Sequence, residues 1–148
     1  MASTLAQQST RVQQDALLSA NIALPNAANT VNTAALQVGG NSAGPFPTNG
    51  RFTVKVATTQ CTGANSKNIN VSLQHTSRNS DGTADNGNWA NIPELAVRTI
   101  AGNAANFPAA TYNIPVPDAC KEFIRASATG EANGGNSSDG TITVTLLF

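Results

Sequence analysis

Charge is scarce in this chain. Only 11% of its 148 residues are Asp, Glu, Lys or Arg, and eight basic residues balance eight acidic ones. That balance provides no basic surface for nucleic acid and no pull toward an anionic membrane. There is one histidine, His75, and there are two cysteines, Cys61 and Cys120. A lone His in an alternating segment reads as an ordinary strand residue, and no nucleophile elbow or Cys/His arrangement accompanies it. Two cysteines so far apart make neither a disulfide framework nor a zinc site, which needs clustered ligands. A bond between Cys61 and Cys120 stays open, against the reducing cytosol expected for a chain whose first 15 residues lack the charged and apolar regions of a secretory signal. No apolar run approaches membrane-spanning length. No glycine cluster is followed by Lys and a helix, so a phosphate-cradling loop is not expected.

Amides and hydroxyls take the place of the missing charge. Asn alone occurs 18 times; it is costly in helix interiors and suited to turns, so the composition is that of an all-β, loop-rich domain. A surface of this kind can lie against another protein with little desolvation of charge.

The apolar residues repeat with a period of two. In Thr141 to Phe148, Ile142, Val144, Leu146 and Phe148 share one face and Thr141, Thr143 and Thr145 the other, so this segment reads as a half-buried strand anchored in a sheet. The same alternation runs through Arg51 to Ala57 (Phe52, Val54 and Val56 inward) and Ile69 to His75 (Ile69, Val71 and Leu73 inward). It recurs in Lys121 to Ala128, where Ile124, Ala126 and Ala128 oppose Phe123 and Arg125. Tyr112, Ile114 and Val116 also share a face, but Pro115 and Pro117 cannot donate in a ladder, so that stretch belongs at a sheet edge. Asn49-Gly50 is a hairpin signal before the strand at Phe52. Ser77 to Asn88 reads as a surface loop, after which Trp89 and Ile92 lead back to the interior, and Gly130 to Gly140 is most simply a long hairpin into the last strand. Seven to nine short strands with regular turn signals predict an all-β antiparallel β-sandwich or jelly roll over residues 21–148.

Residues 1–20 differ. Gln-rich and only weakly amphipathic, they read as an arm that is extended, disordered or briefly helical, with Leu5, Arg11, Val12, Leu17, Leu18 and Ile22 as the residues that could order it against another subunit.

Candidate ligand sites are few. Asp81, Asp85, Asn86 and Asn88 gather oxygen donors in one loop, yet Gly82 and Gly87 miss the glycine position of an EF-hand and Ile92 stands where its bidentate Glu belongs. No cofactor and no metal is expected. Trp89 beside Asn86, Asn88 and Asn91 forms a possible sugar contact, through ring stacking and amide hydrogen bonds, set against the demand of the core for the chain's single Trp.

Several segments follow one another in a suggestive order: Leu73-Gln74-His75, an Asp81-Gly82 loop, Trp89-Ala90-Asn91-Ile92-Pro93, Ile114-Pro115-Val116-Pro117, Lys121-Glu122-Phe123-Ile124-Arg125-Ala126 and the terminal strand. This order, from about Phe52 to Phe148, resembles the capsid cement, or head decoration, proteins of tailed bacteriophages. Lys121-Glu122-Phe123 departs from the Lys-Arg-Tyr more usual there, and the first 20 residues match no motif. The resemblance implies a jelly-roll protein without catalytic activity, made in the host cytoplasm. It implies a homo-oligomer, dimer or trimer, bound to the phage major capsid protein on the outer surface of the virion, across the joints between subunits. A glycan-binding head fibre or tail module centred on Trp89 is the alternative.

Overall fold

The computed structural model describes residues 14–38, 53–64, 66–93, 98–102, 105–115 and 120–147. The elements among them are strands β1 (Gln14–Ala23), β2 (Thr30–Asn32), β3 (Leu36–Gln37), β4 (Thr53–Thr58), β5 (Cys61–Thr62), β6 (Asn68–Thr76), β7 (Ala90–Asn91), β8 (Arg98–Ala101), β9 (Asn106–Phe107), β10 (Ala110–Pro115), β11 (Phe123–Gly130) and β12 (Thr141–Leu147). They form a four-stranded sheet in the order β1-β12-β4-β10 and a larger sheet in the order β2-β11-β6-β7, with β8 also paired to β6 and β3 to β11. A short β5–β9 ladder lies apart from both. All pairings are antiparallel.

The order of pairing is that of a folded-over ribbon. β1 pairs with β12, β2 with β11, β4 with β10 and β6 with β8, so each early strand meets its counterpart from the other end of the chain. This is the winding of a jelly roll, in which two sheets are filled alternately by successive strands. The all-β sandwich expected from the alternation is therefore the observed architecture.

Period-two patterning explains which face each strand buries. Val54 and Val56 of β4 and Ile142, Val144 and Leu146 of β12 are buried in one sheet. Ile69, Val71 and Leu73 of β6 and Ile124, Ala126 and Ala128 of β11 are buried in the other. Together with Ile92, Ile100, Phe107 and Ile114 they form one core cluster. Each such aliphatic side chain contributes about 1.5–3 kcal/mol on leaving water.

Two sequence expectations are corrected. Residues 14–20, read as part of an arm, belong to β1, which passes through residue 20 and forms an outer strand of the four-stranded sheet. Its pairing with β12 restores to backbone groups the partners that a sparse apolar stripe could not secure in isolation. Residues 131–139 do not form a hairpin, because β11 and β12 lie in different sheets. The segment is a crossover, and its polar residues tie it to its surroundings: Glu131 accepts from the Asn68 backbone N–H at 3.0 Å and from its side-chain amide at 3.1 Å, and lies 3.4 Å from Lys67 Nζ. Asp139 accepts from Thr62 N–H at 3.0 Å and Thr62 Oγ1 at 2.6 Å, and Ser137 donates to the Thr62 carbonyl at 2.8 Å. Cys61 and Cys120 are buried and form no disulfide. The Asn49-Gly50 turn lies outside the described residues. β10 does sit at the edge of its sheet, ending on Pro115.

Two outcomes follow from this packing. Leu73→Ala should lower stability by about 2–5 kcal/mol, whereas Thr143→Ala, on the outer face of β12, should stay within about 0.5 kcal/mol; urea unfolding midpoints compare the two. Hydrogen bonds from Thr62 hold the Asp139 carboxyl below its ordinary pKa, as those from Thr83 do for Asp81. A depressed folded-state pKa means stability that is present above the unfolded value of about 3.9 and lost as pH falls through the folded value. Stability should thus be flat above about pH 5 and decline in acid, and Asp139→Asn should flatten that decline in unfolding curves recorded between neutral and acid pH.

Candidate interaction surface

With both inner faces consumed by the core, chemistry is left to the outer faces and loops. On the larger sheet, outward side chains of neighbouring strands line up in cross-strand rows. One row runs Thr30, Thr129, Asn70, Thr99. Its members bond sideways: the Thr30 and Thr129 hydroxyls lie 2.8 Å apart, and Thr99 Oγ1 donates to Asn70 Oδ1 at 2.9 Å. Another row runs Arg125, Gln74, Asn91. There Arg125 Nε donates to Gln74 Oε1 at 2.9 Å, and Gln74 Nε2 donates to Asn91 Oδ1 at 3.2 Å.

Between these rows stands Asn32, Ser127 and Ser72. Serine is short, so the middle row sinks below its neighbours and leaves an open furrow of about 310 Å³, floored by Ser72 and Ser127. Thr30, Thr129 and Asn70 wall one side, Gln74 and Asn91 the other. The two serines are only 9% and 5% exposed, and their hydroxyls make no hydrogen bond among the described residues. The side-chain oxygen of Asn32 is also buried without a partner among them.

Beyond the Arg125 row the sheet is covered. Thr76, at the end of β6, is fully buried although it points away from the core, because the 77–89 loop folds back over it; its hydroxyl lies 2.7 Å from the Asp85 carbonyl and 3.1 Å from that of Asn88. The loop is held by its own acids. Asp81 accepts from Thr83 N–H and Oγ1, and Asp85 accepts from Gly87 N–H and from the Asn88 side-chain amide. At the loop's end the Trp89 ring lies over the Arg125 guanidinium, 4.2 Å from ring centroid to Cζ. Partial burial lowers the Arg125 pKa from its ordinary value, and guanidinium remains charged at any working pH.

The sequence-predicted residues are distributed as follows. Trp89 is half-buried on the outer face of the sheet, not in the core, while Ile92 does enter the core. Asn86 Oδ1 accepts from Trp89 Nε1 at 3.2 Å, Asn88 is bound to Asp85 and Asn91 to Gln74, so the four candidate sugar contacts are each engaged within the chain. Leu5, Arg11 and Val12 lie outside the described residues. Leu17 and Leu18 fall within β1, and Ile22 packs on the core of its own chain. His75 is a half-buried strand residue whose Nδ1 accepts from Lys121 N–H at 3.3 Å. Burial pushes the Cys61 thiol pKa up, with Ser137 opposing and the Asp139 charge adding to it, which keeps the sulfur protonated and a poor nucleophile. Among the described residues no three His, Cys, Asp or Glu side chains are grouped to hold a metal.

Sequence reasoning did not single out Ser72, Ser127, Gln74 or Arg125. The available signal was the outward set of two adjacent strands, with small residues flanked by long amides, but it emerges only once the β6–β11 register is known. No family model matches this chain, and no match was found among curated proteins.

Trp89 is the only tryptophan, so its fluorescence reports directly on its contact with Arg125. Arg125→Ala should expose the indole, shift its emission to longer wavelength and lower stability by about 1 kcal/mol; emission spectra with parallel urea melts check both.

Proposed function

We propose that the chain is a structural virion protein that binds the outer surface of a tailed-phage head and stabilises the joints between major capsid subunits. The observation that carries the reading is the pairing of a rigid jelly-roll sandwich with outer faces built from hydroxyls and amides. On the four-stranded sheet the outward rows are Asn21, Thr143, Ala57 and Thr111, then Ser19, Lys55 and Asn113 around a buried Thr145 whose hydroxyl pairs with that of Ser19. Among the described residues of those rows only Lys55 carries charge. Docking such a face against protein costs little desolvation, and several modest contacts made at once to neighbouring subunits add through effective concentration. The resemblance of the Phe52–Phe148 segments to phage cement proteins supports the same role.

On this reading the protein works by occupying a joint, with no bond made or broken. Assembly on a head gives a high local copy number, and a dimer or trimer would bridge more subunits than one copy could. The glycan-binding alternative draws on the partial exposure of Trp89, and is weakened by the guanidinium that already occupies one side of its ring.

Because β1 begins at Gln14, the test of an arm must spare that strand. Removal of residues 2–13 should leave the urea midpoint of the sandwich unchanged and reduce occupancy of expanded heads by about tenfold or more, read by sedimentation of heads with added protein. Full occupancy by the truncated chain would remove the arm from the mechanism, and failure of the intact chain to bind heads would remove the capsid role.

A further inference from the structure

We propose that the furrow floored by Ser72 and Ser127 is the seat of an extended polypeptide segment from another protein, neutral along most of its length and presenting a carboxylate to Arg125. The inference rests on the structural-role reading for the identity of that protein, and on the furrow itself for the chemistry of the segment.

Size comes first. The walls include residues four apart on β6, Asn70 and Gln74, about 13 Å along the strand. Side chains standing on both walls narrow that span to the width of a single extended chain. The furrow crosses the strands, so a segment lying in it would pass over β2, β11, β6 and β7 in turn.

Bonding capacity comes second. In both flanking rows many polar atoms already bond sideways, which fixes their positions. The floor is different: two serines, each more than nine-tenths buried as a residue, face the furrow with hydroxyls that offer both a donor and an acceptor. Neither hydroxyl is fully enclosed, so a group entering the furrow can reach it, and an extended backbone, with alternating N–H and C=O groups, satisfies hydroxyls of this dual character.

Charge and aromaticity then select among ligands. Among the described residues no cation lines the furrow, which disfavours phosphate and nucleic acid. No described aromatic ring lines it either, and Trp89, at the neighbouring row, has a side covered by Arg125 and its N–H bound to Asn86, which disfavours a saccharide that would stack. What adjoins the furrow is one guanidinium, joined to its wall through Gln74. Nε is used there and the ring lies alongside, while the terminal NH₂ groups make no hydrogen bond among the described residues. A guanidinium held in this way matches a carboxylate, which can accept from both terminal nitrogens at once. Arg and Trp are also the side chains that dominate binding energy in protein interfaces.

The test uses the full chain and two probes. Ser72→Tyr and Ser127→Leu fill the furrow, Arg125→Glu reverses the charge beside it, and Gln60→Tyr, at an exposed position outside both sheets, is the control; urea midpoints establish that each variant is folded. With expanded heads as probe, either furrow-filling variant should bind at least tenfold more weakly than wild type while Gln60→Tyr binds equally. Wild-type binding that survives in both folded furrow variants overturns the furrow and leaves the capsid role standing. If wild type itself fails to bind heads, the capsid role falls, and a library of displayed random linear peptides decides the furrow alone. Peptides enriched on wild type, carrying Asp or Glu toward one end and lost on Ser72→Tyr and Arg125→Glu, support it. No enrichment, equal retention by the variants, or retention of neutral saccharides on a glycan array in place of peptides overturns it.

Discussion

Everything in this molecule depends on burying two apolar sheet faces against each other. A strand whose side chains alternate between apolar and polar has one face that must leave water, and a single sheet has nowhere to put it. Here the four-stranded sheet offers Val54, Val56, Ile142, Val144 and Leu146, and the larger sheet answers with Ile69, Val71, Leu73 and Ile124. The jelly-roll order couples this burial to the whole chain. Because β1 pairs with β12 and β2 with β11, neither sheet is complete until the carboxyl-terminal strands have arrived. Such pairings are distant in sequence, and loop-closure entropy must be overcome before they contribute, so folding should be slow relative to a helical protein of equal length.

The inner faces were legible in the sequence because their signal is local. Ile142, Val144 and Leu146, or Ile69, Val71 and Leu73, announce their shared face within seven residues, and no tertiary information is needed. What could not be read was which strand lies beside which. Residues 131–139 carry Asn133-Gly134-Gly135 and Asp139-Gly140, which look like hairpin chemistry, but turn residues report a change of direction and not the sheet in which the next strand will land. The actual crossover is enforced by Asp139 on Thr62 and Glu131 on Asn68, contacts with residues more than 60 positions away. β1 was hidden for a related reason. Its run Leu17-Leu18-Ser19-Ala20-Asn21-Ile22 is weak by itself and becomes a strand because β12 presents an open edge of N–H and C=O groups.

The interaction surface was less legible still, since it is a property of rows across strands. Arg125 and Gln74 are 51 residues apart and become partners only through the β6–β11 register, as do Ser127 and Ser72. Trp89 shows how a correct local reading can lead to the wrong place. As the chain's one tryptophan it had the strongest claim on the core, yet the core is built mainly of aliphatic side chains with Phe107, and the large ring serves instead to cover the guanidinium of Arg125. That arrangement uses the indole as an amphipathic plate, apolar against the sheet and with its N–H directed to Asn86.

Fixing a binding residue in advance has an energetic consequence. A free arginine at an interface loses about 0.5–1.5 kcal/mol of side-chain freedom when a partner immobilises it. Here the ring of Trp89 and the amide of Gln74 have already restricted Arg125 in the isolated chain, so the loss is borne by folding and not repeated on association. The same holds for the walls, where Thr30, Thr129, Asn70 and Thr99 brace one another. The serines need no such bracing because they have a single short rotor. A face prepared in this way can bind through few contacts of modest strength, and its near-neutral character keeps the desolvation term small. Under the proposed capsid role, that combination would suit a protein placed at many equivalent positions at once, where each contact need only be adequate because the neighbouring contacts act with it.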